Sequence, residues 1–123
     1  MTSKRRRRLS RSGEFDRVYR DGSSHATRYL VLYTFPRRDE EREDVRLGVS
    51  VSRKVGGSVE RNRIKRALRE AFWGLSERLP DRHDFVIVAR GDITGLVDRE
   101  GTAGVTKNLE EALAGSAGKG RST

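Results

Sequence analysis

The spacing of apolar residues predicts a short helix near the start of the chain. Phe15, Val18 and Tyr19 recur at i, i+3 and i+4, so they share one face of a helix. Ser12 stands before them as a helix cap, and an Asp-Gly pair follows at 21–22, where the helix can end. We therefore expect an amphipathic helix over residues 13–20.

Three further stretches have the pattern of strands. Residues 29–35 are rich in aromatic and β-branched side chains. Residues 46–52 alternate apolar with small or polar positions, as a half-buried strand does. The apolar run within 84–90 is typical of a central strand covered on both faces. We expect the first two strands to pair as a hairpin across the charged stretch 37–44, whose acidic side chains we expect to be solvated.

The longest helix is predicted after the break at Gly56-Gly57-Ser58, over residues 59 to about 78. A turn or short helix is predicted around 93–97, and a last amphipathic helix over 106–114. This order of helices and strands predicts a small α+β layer structure.

The length of 123 residues predicts one domain, which we place at residues 12–114. The ends offer too few apolar side chains to offset the entropy lost on ordering. We therefore expect a flexible basic arm at residues 1–11 and a disordered tail at residues 115–123.

A helical wheel of about 100° per residue divides the long helix into two adjoining sectors. The apolar sector, which we assign to the core, contains Ile64, Leu68, Ala71, Phe72 and Leu75. The neighbouring sector is polar and mostly cationic, and we call its residues the basic stripe: Arg61, Asn62, Lys65, Arg66 and Arg69. Arg63 falls outside the stripe on this wheel.

The charge balance favours a polyanionic partner. The chain has 27 basic and 18 acidic side chains, a net charge of +9, which indicates nucleic acid first and makes a membrane partner a weak alternative. No apolar run approaches the roughly 20 residues of a membrane span. The sequence has no cysteine, which suits a cytoplasmic protein and excludes thiolate metal sites.

The start of the long helix has features of a phosphate site. The helix dipole destabilises cations in the first helical turn, whereas it stabilises a phosphate bound there. Arg61 lies there after a Gly-Gly pair, and Arg53 and Lys54 are close by in sequence. Asn62 can read a base edge or a ribose hydroxyl, or it can bond the local backbone. A solvated basic face whose arginine stems cover the core edge stays open as an alternative.

Aromatic residues add a second candidate feature. Phe15, Tyr19 and Tyr33 could stack on the bases of single-stranded RNA, although each could equally be a core residue. The sequence contains no Gly-rich phosphate loop, Ser-His-Asp set or His pair. If the protein serves an enzyme, we expect a partner to supply the catalytic groups.

Five ordered segments resemble the bacterial ribonuclease P protein family. The most specific is a small-residue turn followed by Arg61-Asn62-Arg63-x-Lys65-Arg66-x-x-Arg69, within residues 56–72. The other segments are residues 8–19, 28–34, 47–56 and 84–90. The resemblance covers about residues 8–114.

The resemblance implies a fold and a role. The fold would be a two-layer α+β sandwich whose mixed central sheet has about four strands, with a left-handed crossover through the basic helix. The protein would bind the catalytic RNA of ribonuclease P and the 5′ leader of precursor tRNA. The RNA would perform the Mg²⁺-dependent hydrolysis, so no catalytic side chain, membrane or small-molecule substrate is expected for the protein.

The resemblance also implies roles for single residues. Phe15, Tyr19 and Tyr33 would line the leader cleft, with a Tyr at 19 where the family commonly has Phe. Arg53, Lys54 and the basic stripe would bind RNA, and Arg63 joins them through the motif alone. Two alternatives remain: a general RNA-binding or ribosome-associated protein that uses the same stripe, and a nuclease that needs no RNA subunit.

Overall fold

The fold is of the α+β class that the sequence led us to expect, with five strands and three helices in the described part of the chain. A computed structural model describes residues 6–9, 11–37 and 44–121 of the chain, with side chains for 7–9, 11–37 and 44–115. The elements are β1 (Arg6–Arg8), α1 (Ser12–Asp21), β2 (Ser23–Ala26), β3 (Leu30–Pro36), β4 (Val45–Ser50), α2 (Ser58–Gly74), β5 (His83–Ala89) and α3 (Ile93–Arg121). A short 3₁₀ turn, Ser76–Arg78, follows α2.

The strands form one mixed sheet in the order β1-β4-β5-β3-β2. β1, β4 and β5 are parallel neighbours, whereas β3 runs antiparallel to β5 and β2 antiparallel to β3. The five strands exceed the expected four or so because β1 and β2 form the two edges. α2 makes the crossover between the parallel neighbours β4 and β5.

The hairpin predicted between residues 29–35 and 46–52 is wrong, because β5 lies between the corresponding strands β3 and β4. Phe85, Val86 and Ile87 are all fully buried, or nearly so, on the two faces of β5. A strand with apolar side chains on both faces gains most from the central position, where each face is covered. That gain places β5 between the two strands that sequence proximity suggested as partners.

The helix limits differ from the predictions at their ends. Arg11, rather than Ser12, is the N-cap of α1, and its backbone N–H donates to Oε1 of Glu14 at 3.3 Å. α2 ends at Gly74, and the chain then tightens into the 3₁₀ turn. The two segments predicted at 93–97 and 106–114 are joined in α3 across a kink at Gly101, whose φ of 64° and ψ of −155° suit glycine.

Parts of the predicted arm and tail have regular structure. Residues 6–8 form β1, which pairs with β4, and Leu9 is buried with 3% exposure. α3 continues to Arg121, so most of the predicted tail is helical. Residues 1–5, 10, 38–43 and 122–123 lie outside the described residues, and with them part of each predicted end.

Two cores lie on opposite faces of the sheet. The larger one packs β3, β4 and β5 against α2 and α3, and it contains every residue that the wheel assigned to the core: Ile64, Leu68, Ala71, Phe72 and Leu75. The smaller core joins Leu9, Val18 and Val86, with Phe15 and Tyr33 packed against them. α1 thus covers one face of the sheet, and α2 and α3 cover the other. No helix in the described part of the chain is long and apolar enough to cross a membrane.

Candidate RNA interface

The sheet face beneath α1 consists of three successive rows of paired residues. The register places Phe35, Asp84 and Arg46 in the first row, Tyr33, Val86 and Gly48 in the second, and Val31, Val88 and Ser50 in the third. Side chains of a strand alternate between its faces, so these residues share the α1 face. Along the strands, the first row is ionic, the second contains an aromatic side chain, and the third is partly exposed to solvent.

The three aromatic residues singled out in the sequence meet above the second row, and we call them the ring cluster. The ring centroids of Tyr19 and Tyr33 lie 4.9 Å apart at an interplanar angle of 75°, an edge-to-face contact. The centroids of Phe15 and Tyr19 lie 6.3 Å apart. Tyr19 is 38% exposed and the other two rings are half-buried. The cluster thus packs on the sheet and still presents aromatic surface to solvent.

Gly48 creates the space that Phe15 occupies. A Cβ atom built at Gly48 would lie 2.5 Å from Cζ of Phe15, far inside van der Waals contact. Glycine in a strand interior often marks such a close approach. The role of Gly48 could not be predicted from the sequence, because the contact is between positions distant in the chain.

The hydroxyl of Tyr19 is tied to the third row by a side-chain hydrogen bond with Ser50. Burial raises the pKa of Tyr19, and the hydrogen bond with Ser50 opposes this only in part. The phenol is therefore neutral at physiological pH. It adds a polar group to the cleft that a phenylalanine at this position would lack.

The first row contains a buried carboxylate surrounded by arginines. Asp84 is 0% exposed, and its oxygens accept hydrogen bonds from Arg37 at 2.7 Å and from Arg17 at 3.1 Å. Arg46 donates to both oxygens of Asp84 at 2.7 Å. Burial alone would raise the pKa of Asp84, but the hydrogen bonds from Arg46 and Arg37 hold it below its ordinary value. Asp84 is therefore a carboxylate at neutral pH.

Two further acids complete this network, and we call the whole set the arginine–carboxylate hub: Glu14, Arg17, Arg37, Asp44, Arg46 and Asp84. Glu14 accepts from Arg46 at 2.6 Å, and Asp44 accepts from Arg37 at 2.7 Å. The prediction that the acids of the 37–44 stretch are solvated is wrong for Asp44, which is 4% exposed. Buried charges are stable when they are paired, as here.

The basic stripe runs along α2 beside the core. Arg61, Lys65 and Arg69, spaced at i, i+4 and i+8, are partly buried. Asn62 and Arg66 are exposed. The stripe begins at an N-terminus whose N-cap, Gly57, offers no side-chain cap. Arg53 and Lys54 are exposed in the turn after β4, in the connection that leads into α2.

A cation of β1 extends the stripe. The pKa of Arg69 is lowered by burial and then by the charge of Arg8, which places these two residues near each other. Arg8 is exposed at the edge strand of the sheet. Arg8 was expected in a flexible arm, so its electrostatic effect on Arg69 of α2 was not predicted from the sequence.

Arg63 points away from the stripe, as the wheel indicated. It forms ion pairs with Glu60 and, at 2.7 Å, with Asp98 of α3. The hydrogen bonds that Arg63 donates to these acids, first to Glu60 and then to Asp98, raise the pKa of Arg63. The two ion pairs direct its guanidinium toward α3 rather than toward the stripe.

Candidate metal ligands do not cluster in the described part of the chain, where no three His, Asp or Glu side chains come together as a metal site. Two surfaces of the described residues could instead contact RNA. One is the ring cluster, between α1 and the sheet, and the other is the basic stripe on α2.

Comparisons with known proteins connect the chain to one family. The profile described as Ribonuclease P matches residues 3–114. The chain is 40% identical to the ribonuclease P protein component of Shouchella clausii over 89% of this chain and 85% of that protein. It is 36% identical to the protein of the same name from Macrococcus caseolyticus, over 86% of each chain.

Solved structures agree with this match. The fold is similar to that of the Staphylococcus aureus RNase P protein, with a TM-score of 0.75 and 34% identity over 87% of this chain and 92% of that one. It is also similar to the RNase P protein from Thermotoga maritima, with a TM-score of 0.74 and 27% identity over 85% and 92% of the two chains. The chain therefore belongs to the ribonuclease P protein family.

Proposed function

We propose that this chain is the protein subunit of ribonuclease P and that it binds both the catalytic RNA and the 5′ leader of precursor tRNA. The observation that carries the proposal is the ring cluster, in which Tyr19 and Tyr33 meet edge to face while Tyr19 stays 38% exposed. Exposed aromatic surface on which bases can stack is a feature of proteins that hold single-stranded RNA. The 5′ leader is a single-stranded segment of precursor tRNA.

The third row of the sheet supports this assignment. Val88 and Ser50 are only half-buried, so the floor next to the rings is open to a ligand. An unpaired base placed there would contact the apolar floor and stack on the exposed ring of Tyr19. Stacking of this kind contributes about 1–3 kcal/mol per base and tolerates any base, as a leader of variable sequence requires.

The basic stripe supports contact with the larger RNA. The exposed Asn62 and Arg66 and the partly buried row beside them form a cationic surface on α2. Contacts of this type neutralise phosphates and release counterions, which gives affinity with little sequence preference. Arg53, Lys54 and Arg8 would enlarge the surface at its two ends.

Catalysis belongs to the RNA in this proposal. Mg²⁺ would serve the hydrolysis that releases the mature 5′ end, and no step is assigned to a side chain of this protein. The protein would favour precursor over product because product has lost the leader contacts. The cytoplasm is the proposed place of action, as the cysteine-free sequence led us to expect.

Reconstitution tests the proposal. We expect the protein, mixed with a bacterial ribonuclease P RNA, to support cleavage of precursor tRNA at low Mg²⁺ concentrations where the RNA alone is weak. Cleavage that is equal with and without protein across Mg²⁺ concentrations would contradict it. Cleavage by the purified protein without RNA would instead favour a nuclease that needs no RNA subunit.

A substitution in the ring cluster tests the leader contact. Tyr33→Ala should weaken binding of precursor tRNA by the reconstituted holoenzyme by about tenfold, because one stacking contact is lost. Binding of tRNA without a leader should not change. Tyr29→Ala is the matched control, since Tyr29 packs against the opposite core. If Tyr33→Ala and Tyr29→Ala weakened binding of precursor tRNA equally, the ring cluster would not be the leader site.

A further inference from the structure

The ring cluster depends on the position of α1, because α1 contributes two of its three rings, Phe15 and Tyr19. α1 is only 10 residues long, and Val18 is its one buried residue. Helices this short are marginal on their own, and burying one valine contributes only about 1.5–3 kcal/mol. Apolar packing through Val18 and the half-buried Phe15 therefore gives α1 one small contact with the sheet.

The arginine–carboxylate hub supplies a second hold. Glu14 accepts a hydrogen bond from Arg46 of β4, and Arg17 donates one to Asp84 of β5. The guanidinium of Arg17 also lies 4.9 Å from the ring centroid of Phe35 on β3. Contacts from two positions of α1 thus reach all three central strands in the first row of the sheet.

These two positions flank Phe15 in the sequence of α1. Phe15 lies over Gly48, which is one row beyond Arg46 along β4. The hub and the ring cluster are therefore adjacent rows of one structure. We expect a change in the ion pairs of the first row to move Phe15 relative to Gly48 in the second row of the sheet.

We propose that the hub is a positioning device for the leader cleft, with Glu14 and Arg17 as positioning residues that set the gap between α1 and the sheet. The inference rests on the proposed function, since it assigns the leader to this cleft. Charged hydrogen bonds suit this purpose because they are short and directional, and Arg46, which binds Glu14, is itself fixed by two hydrogen bonds to Asp84. Neither residue needs to touch the RNA.

Glu14→Gln separates positioning from simple electrostatics. The substitution makes the protein one charge more positive, so electrostatics alone predicts tighter RNA binding. We expect the reverse: the holoenzyme should bind leader-bearing precursor tRNA about five- to tenfold more weakly, the loss typical of coupled neighbouring groups. Binding of the same tRNA without a leader should not change.

Arg17→Met tests the hydrogen bond between Arg17 and Asp84, and Arg17→Lys should recover part of the leader binding that Arg17→Met loses. Because Arg17 is 39% exposed, a direct phosphate contact must be distinguished from positioning. Loss of a phosphate contact lowers the salt slope by about 0.7 for single-stranded RNA, whereas loss of positioning leaves the slope unchanged. We expect an unchanged slope and weaker nuclear Overhauser contacts between the rings of Tyr19 and Tyr33.

Asp21→Asn is the matched control on the same helix, since its ion pair with Arg20 is solvent-exposed. It should leave leader binding unchanged. Unchanged or tighter leader binding by Glu14→Gln would overturn the proposal, and so would equal losses with and without a leader. If Tyr33→Ala abolishes the difference in affinity between leader-bearing and leaderless tRNA while Glu14→Gln leaves it unchanged, only the positioning role fails. If Tyr33→Ala has no effect, the proposed leader site itself fails.

Discussion

The buried carboxylate of the hub gives the most quantitative prediction. Asp84→Asn removes the one charge that faces Arg17, Arg37 and Arg46 together. The side chains of Arg37 and Arg46 are only 4% and 13% exposed, and removing one member of a buried ion pair costs about 3–5 kcal/mol. Asn keeps one oxygen acceptor, so we expect a loss of about 3–4 kcal/mol.

The measurement is urea unfolding followed by circular dichroism at neutral pH. Domains of this size have unfolding free energies of about 5–15 kcal/mol, so the variant should still fold with a much lower urea midpoint. Asp92→Asn is the matched control, because Asp92 and its partner Arg28 are 58% and 73% exposed. A loss for Asp84→Asn no larger than for this control would refute the reasoning.

The pH dependence adds an independent check. The pKa of Asp84 in the fold lies below its ordinary value. Its contribution to stability is therefore complete above the unfolded-state pKa of about 3.9 and is lost as pH falls through the folded-state value. The difference between wild type and Asp84→Asn should stay constant from neutral pH to about 5 and narrow below about 4. A difference that narrows already near neutral pH would contradict the assignment.

Three other substitutions have expected outcomes in the reconstituted holoenzyme. Arg66→Ala should reduce the salt slope of RNA binding by about 0.7 if it contacts a phosphate of a single strand; an unchanged slope would remove it from the interface. Arg63→Ala should leave that slope nearly unchanged, because its guanidinium is paired with Asp98 of α3; a slope change equal to that of Arg66→Ala would contradict this. Gly48→Ala should displace the Phe15 ring and weaken binding of leader-bearing but not leaderless tRNA, which a gel-shift titration would show.

Periodicity was sufficient to predict the elements whose faces are clearly apolar. The core sector of α2 and the apolar run of β5 are confirmed because burial follows directly from the pattern of side chains. β1 could not be predicted in this way. Its three residues are all arginines, and it joins the sheet through backbone pairing with β4.

Contacts between distant positions explain most of what the sequence did not predict. Arg17 and Asp84 are 67 positions apart, and Arg37 and Asp84 are 47 apart. The residues next to Arg17, Arg37 and Asp84 in the sequence do not indicate that these side chains will form ion pairs in the fold. The same holds for the order of the sheet, in which the strand that is apolar on both faces takes the centre. Phe15, Tyr19 and Tyr33 were candidates for stacking from their residue type, and the resemblance placed them in one cleft. Their role in leader binding remains a prediction.

The ratio of affinities for precursor and mature tRNA tests the central claim most directly. It should be measured for the reconstituted holoenzyme and for the RNA subunit alone, at the same salt and Mg²⁺ concentrations. The protein should raise the ratio in favour of the precursor, and Tyr33→Ala should return it toward the value of the RNA alone. A ratio that is the same with and without the protein would contradict leader binding by this chain.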